Sequence, residues 1–132
     1  MSTPTQLLQD YIRFISEGNG EKAFALFAED GAIELPYLAS IGAPHRWAGK
    51  ETLQGFFRGF PASFPNFKFT DVAIHIETEN QVFAEYHAEA IRNGQPYQQH
   101  YMGRLVAENG KIKLLREALD MSKVISTAPK TN

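Results

Sequence analysis

The stretch from Ile74 to Leu119 constrains the fold more than any other part of the chain. It divides into three extended segments with almost no gap between them: IHIETENQVFAEYHAEAI, PYQQHYMGRLVAENG and KIKLLREALD. Asn80, Asn93-Gly94 and Asn109-Gly110 punctuate them. Asn-Gly between extended runs is the strongest short-range hairpin signal, because tight hairpin turns require positive φ. The front half reads as helices instead. Helices first and an antiparallel meander after is an α+β pattern, not an alternating βαβ one. The expected fold is a cone-shaped α+β barrel. Three N-terminal helices pack on a curved, mostly antiparallel sheet and enclose a pocket, with Tyr86, Tyr101 and Glu117 at inward positions.

The helical half has its own punctuation. Thr3 can cap, Pro4 suits the first helical position and Gln6 completes a capping box. Leu7, Leu8, Tyr11, Ile12, Phe14 and Ile15 then recur at helical spacing, and Gly18-Asn19-Gly20 stops the helix. A second helix is expected over about 21–28, burying Ala23, Phe24 and Phe27. Glu29-Asp30-Gly31 reads as a turn into a short strand, Ala32 to Leu35. Pro36 to Ala48 reads as a loop, and a third helix over about 50–59 should stop before Pro61. Phe64-Pro65-Asn66-Phe67 leads into the sheet. The whole chain, 1–132, reads as one domain with its core over about 5–124 and a frayed polar tail from Ser126.

Strand parity selects the candidate site. Side chains alternate faces with period two. Val82, Ala84, Tyr86, Ala88 and Ala90 form one row, small or aromatic, which is expected to face the pocket. Phe83, Glu85, His87, Glu89 and Ile91 form the other. On the last segment Leu115, Glu117 and Leu119 share a face, so apolar neighbours bracket Glu117 and turn it inward.

Composition narrows the function. Hydrophobic residues make up 43% of the chain and aromatic ones 12%, including ten Phe, enough for a core and an apolar cavity. A net charge of −2 supplies no basic field for nucleic acid. No apolar run approaches the roughly 20 residues of a membrane-spanning helix, and the first residues lack the basic and apolar regions of a secretory signal. There is no Cys, hence no disulfide or thiol nucleophile. The cytoplasm is the expected location.

Several motifs carry a family resemblance: Leu26-Phe27-Ala28-Glu29-Asp30-Gly31-Ala32-Ile33-Glu34, Trp47-Ala48-Gly49-Lys50-Glu51, and Gly110-Lys111-Ile112 followed by Arg116-Glu117. From about Thr5 to Val124 the chain resembles the SnoaL-like branch of the nuclear-transport-factor-two-like superfamily. This is a cystatin-like α+β scaffold shared with ketosteroid isomerases and polyketide cyclases. Ser63 to Phe69, His100-Tyr101 and Glu108 to Lys113 are most similar to the phenazine-biosynthesis A/B proteins. The resemblance implies that Glu117, in the Arg-Glu pair of the last strand, is the catalytic acid. The family's partner His falls on Thr70 here, so that acid/base pair is incomplete. The oxyanion Tyr of ketosteroid isomerases falls on Tyr11, but their base falls on Leu35 and their second oxyanion acid on Tyr101, which argues against steroid isomerisation of that type.

Glu117 is therefore either a general acid/base with a raised pKa or a carboxylate satisfied by a neighbouring Tyr. The expected substrate-binding residues are Tyr11, Phe14, Tyr37, His45, Trp47, Tyr86, Tyr101, Leu115 and Leu119. Buried Tyr hydroxyls can equally be paired within a core. His45 is a candidate rim acid or base, since an imidazole titrates near neutral pH, and His100 is expected on the outer face. Glu85, His87 and Glu89 lie on one face near His75, but no second spaced ligand pair accompanies them, so neither metal nor organic cofactor is expected. The predicted activity is proton transfer on a cyclic, partly apolar metabolite, as in isomerisation, cyclisation or condensation. The alternative is a non-catalytic ligand-binding or accessory protein on the same fold. Phe83, Ile91, Met102 and the stem of Arg104 mix with the acids and His on the outer face, which predicts a homodimer through that face.

Overall fold

The computed structural model describes residues 1–129. Helix α1 spans Pro4–Ser16. Its entry is the expected capping box: Gln6 N–H donates to Thr3 Oγ1 at 3.2 Å and Thr3 N–H donates to Gln6 Oε1 at 2.9 Å. Leu7, Leu8, Tyr11 and Ile15 form its buried stripe. Helix α2 spans Gly20–Ala25 and strand β1 Phe27–Glu34. The helix is shorter and the strand longer than the residue pattern predicts. Asp30-Gly31 does not turn the chain. It lies in a bulge, since Phe27 pairs with Ile112 but Ala32 already pairs with Leu114. A Cβ at Gly31 would stand 2.8 Å from the Ile112 carbonyl oxygen, so only glycine allows the two strands to close there.

The segment expected as a loop contains a 3₁₀ helix, Pro36–Ile41, and strand β2, Arg46–Ala48. Helix α3, Lys50–Ser63, runs through Pro61 instead of stopping before it. Pro61 lies in the last turn on the exposed side, where one lost backbone bond leaves a solvated carbonyl instead of a buried one.

Four long strands follow: β3 Lys68–Glu77, β4 Gln81–Arg92, β5 Gln95–Glu108 and β6 Lys111–Leu119. The first extended segment thus folds back on itself, with Thr78 N–H donating to the Gln81 carbonyl at 2.8 Å. Asn93 and Gly94 have φ of 51° and 75°, and Asn109 and Gly110 have 52° and 72°. Both Asn-Gly pairs therefore make the positive-φ turns that tight hairpins need.

The sheet has the order β2-β1-β6-β5-β4-β3, and only the β1–β6 pair is parallel. It curves without closing into a barrel, leaving β2 and β3 as edges. Helices α1, α2 and α3 pack on its concave side, so the architecture is α+β as the pattern predicts. The row Val82, Ala84, Tyr86, Ala88 and Ala90 is buried, while Phe83, His87, Glu89 and Ile91 are exposed. A short helix α4, Met121–Ser126, follows β6, capped by Asp120 accepting from Ser122 N–H. Of the polar tail expected to fray from Ser126, residues 130–132 lie outside the described residues. Thr127 is buried, its hydroxyl accepts from Arg92 Nη1 at 2.8 Å and its carbonyl from Asn93 Nδ2 at 2.8 Å.

Candidate functional site

Glu117 stands on β6, which is hydrogen-bonded to β1 on one side and β5 on the other. Its inward parity buries the carboxyl, leaving the residue 5% exposed. The residue opposite on β5 is Gly103, and opposite Gly103 on β4 is Ala84. This low ground across three strands lets the Tyr86 side chain lean over β5 and donate its hydroxyl to Glu117 Oε2. A Cβ at Gly103 would stand 2.9 Å from Tyr86 Cζ. The glycine is thus the condition for the phenol–carboxyl bond.

Burial raises the Glu117 carboxyl from 4.5 to about 7, even against the opposing hydrogen bond from Tyr86. Taking a carboxylate out of water disfavours its charged form, and a donor to that form favours it. Here the first effect wins. Burial and the nearby Glu117 charge raise the Tyr11 and Tyr86 hydroxyls well above 10; Tyr101 is raised by burial and then by Tyr97 and Glu117. Around neutral pH the site therefore combines a carboxyl poised to gain or lose a proton with phenols fixed as donors. The phenols are held by edge-on ring contacts, with Phe69 set 5.3 Å from Tyr86 and 5.9 Å from Tyr101 between ring centroids.

Glu117 opens onto a cavity of about 900 Å³, at the upper end of the size range of small-molecule sites. Its deep end is built by the buried Tyr11, Tyr101 and Glu117. Its sides are the α3 aromatics Phe56, Phe60 and Phe64, with Phe67, Phe69 and Tyr97. At the rim stand exposed Ile41, Pro44, Ile91, Asn93 and Pro129. Ile91, expected on the outer face, borders the opening because it lies at the end of β4.

Of the residues expected to bind substrate, Tyr11, Trp47, Tyr101 and Leu119 line this cavity with Glu117. The other five do not. Phe14 lies off the buried stripe of α1, under the guanidinium of Arg13 at 4.8 Å and the Lys22 ammonium at 5.7 Å. Tyr37 is 57% exposed on the 3₁₀ helix, which turns Leu38 inward instead. His45 is exposed, its Nδ1 lying 3.4 Å from the Ala43 carbonyl, while its neighbour Pro44 reaches the rim. Tyr86 and Leu115 face inward as parity predicts but are sealed in the core, Tyr86 behind Glu117 and Leu115 wholly buried opposite Leu105.

Phe56, Phe60, Phe64, Gly103 and Arg92 also shape the site. Phe56, Phe60 and Phe64 recur every four residues, one stripe of a helix that a longer α3 would have exposed. Gly103 is an isolated glycine inside a strand, a standing sign of close approach. Arg92 carried no such signal.

Two positions expected to weaken the family chemistry are now located. Leu35 lines the cavity with an apolar side chain. Thr70 bonds to Asp71 Oδ2 at 3.2 Å and borders a separate surface hollow with His87 and His100. On the outer face Glu85 Oε2 lies 3.8 Å from His75 Nε2 and 3.6 Å from His100 Nε2, and His87 pairs with Asp71 at 3.1 Å. Among the described residues no group of three or more His, Asp and Glu could hold a metal.

Helices on the concave side of an open six-stranded sheet give this chain the fold of solved nuclear-transport-factor-two-like proteins. The chain belongs to the SnoaL-like domain family, whose pattern matches residues 8–115. Solved structures share the fold. A provisionally named isomerase from Bacillus subtilis superimposes with a TM-score of 0.83 at 22% identity, over 94% of this chain and 91% of that one. A provisionally named polyketide cyclase from Xanthomonas campestris pv. campestris gives 0.79 at 21% identity, over 94% and 95%. A phenazine biosynthesis-related protein from Pseudomonas aeruginosa gives 0.73 at 18% identity, over 98% and 94%. A search of curated proteins returns no significant match.

Proposed function

We propose that the cone binds a cyclic, partly apolar small molecule and that Glu117 moves a proton on it, in an isomerisation, cyclisation or condensation. The observation that carries this reading is the Glu117 carboxyl itself: buried, open to an aromatic cavity, and raised to about 7. A general acid or base works best when its pKa lies near the operating pH, and such a group contributes roughly 10²–10⁴-fold. Tyr11 and Tyr101, fixed as phenols beside it, would hold a carbonyl oxygen as charge develops there. Leu119, Trp47 and the α3 aromatics would exclude water and orient the ring system.

A second reading has its own observation. Among the described residues the cavity is lined by one carboxylate, Leu35 is apolar and Thr70 faces elsewhere. A single acid without a second titrating partner suits a ligand carrier as well as a catalyst. Exchange of α-protons separates the two. A cyclic ketone such as 2-tetralone, incubated with the protein in deuterium oxide, is followed by proton NMR. Catalysis predicts faster exchange that Glu117→Gln abolishes while ketone binding persists. Binding without any acceleration supports the carrier.

The same reading includes a homodimer through the convex face of the sheet, acting in the cytoplasm. Ile76, Phe83 and Met102 are exposed there at 60%, 45% and 57%, interleaved with Glu85, His87 and His100. No helix of the described residues is long and apolar enough to cross a membrane.

A further inference from the structure

Among the described residues lining the cavity, Glu117 is the single anion and Arg92 the single cation. They stand at opposite ends. Glu117 lies at the buried bottom, and Arg92 is the last residue of β4, beside the exposed Asn93-Gly94 turn at the rim. Tyr97 lies between them: the Arg92 charge lowers its hydroxyl pKa and the Glu117 charge raises it, both as lesser causes beside burial. One aromatic ring is thus within electrostatic reach of both ends.

The Arg92 guanidinium is held but not neutralised. Its Nη1 donates to the Val124 carbonyl at 2.7 Å and to Thr127 Oγ1 at 2.8 Å, both neutral acceptors. Among the described residues no carboxylate pairs with it, and no acceptor takes its Nε or Nη2 protons. Its carbon lies 5.9 Å from the Phe64 ring centroid and 6.0 Å from that of Tyr97, both rings being in the cavity wall. Two contacts fix the side chain, two rings flank it in the cavity wall, and one edge of its N–H fork remains unspent among the described residues. That edge has the spacing of a carboxylate's two oxygens.

Resting on the reading of the cone as a ligand site, we infer that Arg92 is the anchor for a planar carboxylate. The ligand class is a flat aromatic acid, its carboxylate on Arg92 at the rim and its uncharged, reacting end toward Glu117. The reverse orientation would press two carboxyl groups together at the buried end, where like charges disfavour each other most. The same arrangement discriminates against neutral isosteres, because only the anion satisfies the unspent fork.

Isothermal titration calorimetry of 2-naphthoate and 2-naphthamide, which share shape and differ in charge, tests the assignment. Hydrogen bonds to charged groups contribute about 1.5–3 kcal/mol, so the naphthoate should bind roughly 10-fold tighter or more. Arg92→Gln should bring naphthoate to the level of the amide and leave the amide unchanged. Because that change also loosens the hold on α4, Thr127→Val serves as the second variant. It removes one clamp bond but keeps the guanidinium, and should keep the preference. Equal affinities in the parent protein, or a preference that survives Arg92→Gln, would overturn the anchor while the ligand site stands. Failure of both probes to bind would overturn the ligand site as well.

Discussion

Replacing Glu117 with Gln should stabilise the protein, and increasingly so as pH rises. The folded carboxyl sits at about 7 against an ordinary 4.5. Below pH 4.5 the group is protonated in both folded and unfolded chains and costs nothing. Between 4.5 and 7 the unfolded chain ionises while the folded one retains its proton, so stability falls. Above 7 the full penalty of a buried charge has been reached. At about 1.4 kcal/mol per pH unit the gap amounts to roughly 3 kcal/mol. About 2.5 kcal/mol of it should fall between pH 5 and pH 8. Gln cannot ionise, so its variant escapes that loss. The amide adds a roughly constant offset, since its new N–H protons need acceptors. The informative quantity is therefore the change with pH in the difference between variant and parent. Urea unfolding at pH 5, 6, 7 and 8, followed by the fluorescence of Trp47, the one Trp of the chain, measures it. In thermal melts the same difference should grow by about 10 °C over that range for a domain of this size. A difference that stays constant or shrinks with pH would show that Glu117 is not held protonated by burial, and the acid/base argument would go with it.

Three further outcomes follow from the same geometry. Tyr86→Phe removes the donor that favours the carboxylate, so Glu117 should titrate roughly one pH unit higher, since a hydrogen bond to a charge contributes about 1.5–3 kcal/mol; carbon-13 NMR of the side-chain carboxyl reads it, and an unchanged midpoint refutes the pairing. Gly103→Ala should cost about 1–3 kcal/mol by pushing the Tyr86 ring aside. It should also move the Glu117 midpoint in the same direction as Tyr86→Phe, and a variant as stable as the parent with the same midpoint contradicts the role given to the glycine. Sedimentation equilibrium at micromolar concentration should give twice 14.8 kDa and Met102→Glu should halve it; a parent protein already monomeric removes the convex-face dimer.

What could be read ahead of the structure was local. The two Asn-Gly turns, the capping box at Thr3 and the alternation along β4 each depend on residues within a few positions of one another. Glu117 faces inward for the same local reason, its parity with Leu115 and Leu119. The hydrogen bond it accepts from Tyr86 was not readable in that way. It joins residues 31 positions apart and needs the Ala84–Gly103–Glu117 register across three strands, which no single strand specifies. Tyr86 and Leu115 share the inward parity of pocket residues, yet parity cannot tell the filled apex of a cone from its open part. The packing of Thr127 is equally non-local, since its partner Arg92 is 35 positions away. Gly31 and Pro61 were read as breaks by residue type. A bulge absorbs the first and an exposed last turn tolerates the second.

The acid of this cone stands on a central strand, while most of what shapes the opening stands on pieces hung from the margins: the 3₁₀ helix, the end of α3, and the segment after β6. The two belong to different layers of inheritance. Moving Glu117 means breaking ladders on both sides of β6, and so dismantling the sheet. Lengthening the 3₁₀ segment, re-angling α3 or trading the residues around Thr127 breaks no sheet hydrogen bond at all. A lineage built on this plan can therefore reshape the opening many times over while handing down the same buried carboxyl, and divergence among its members should be written mostly at the rim.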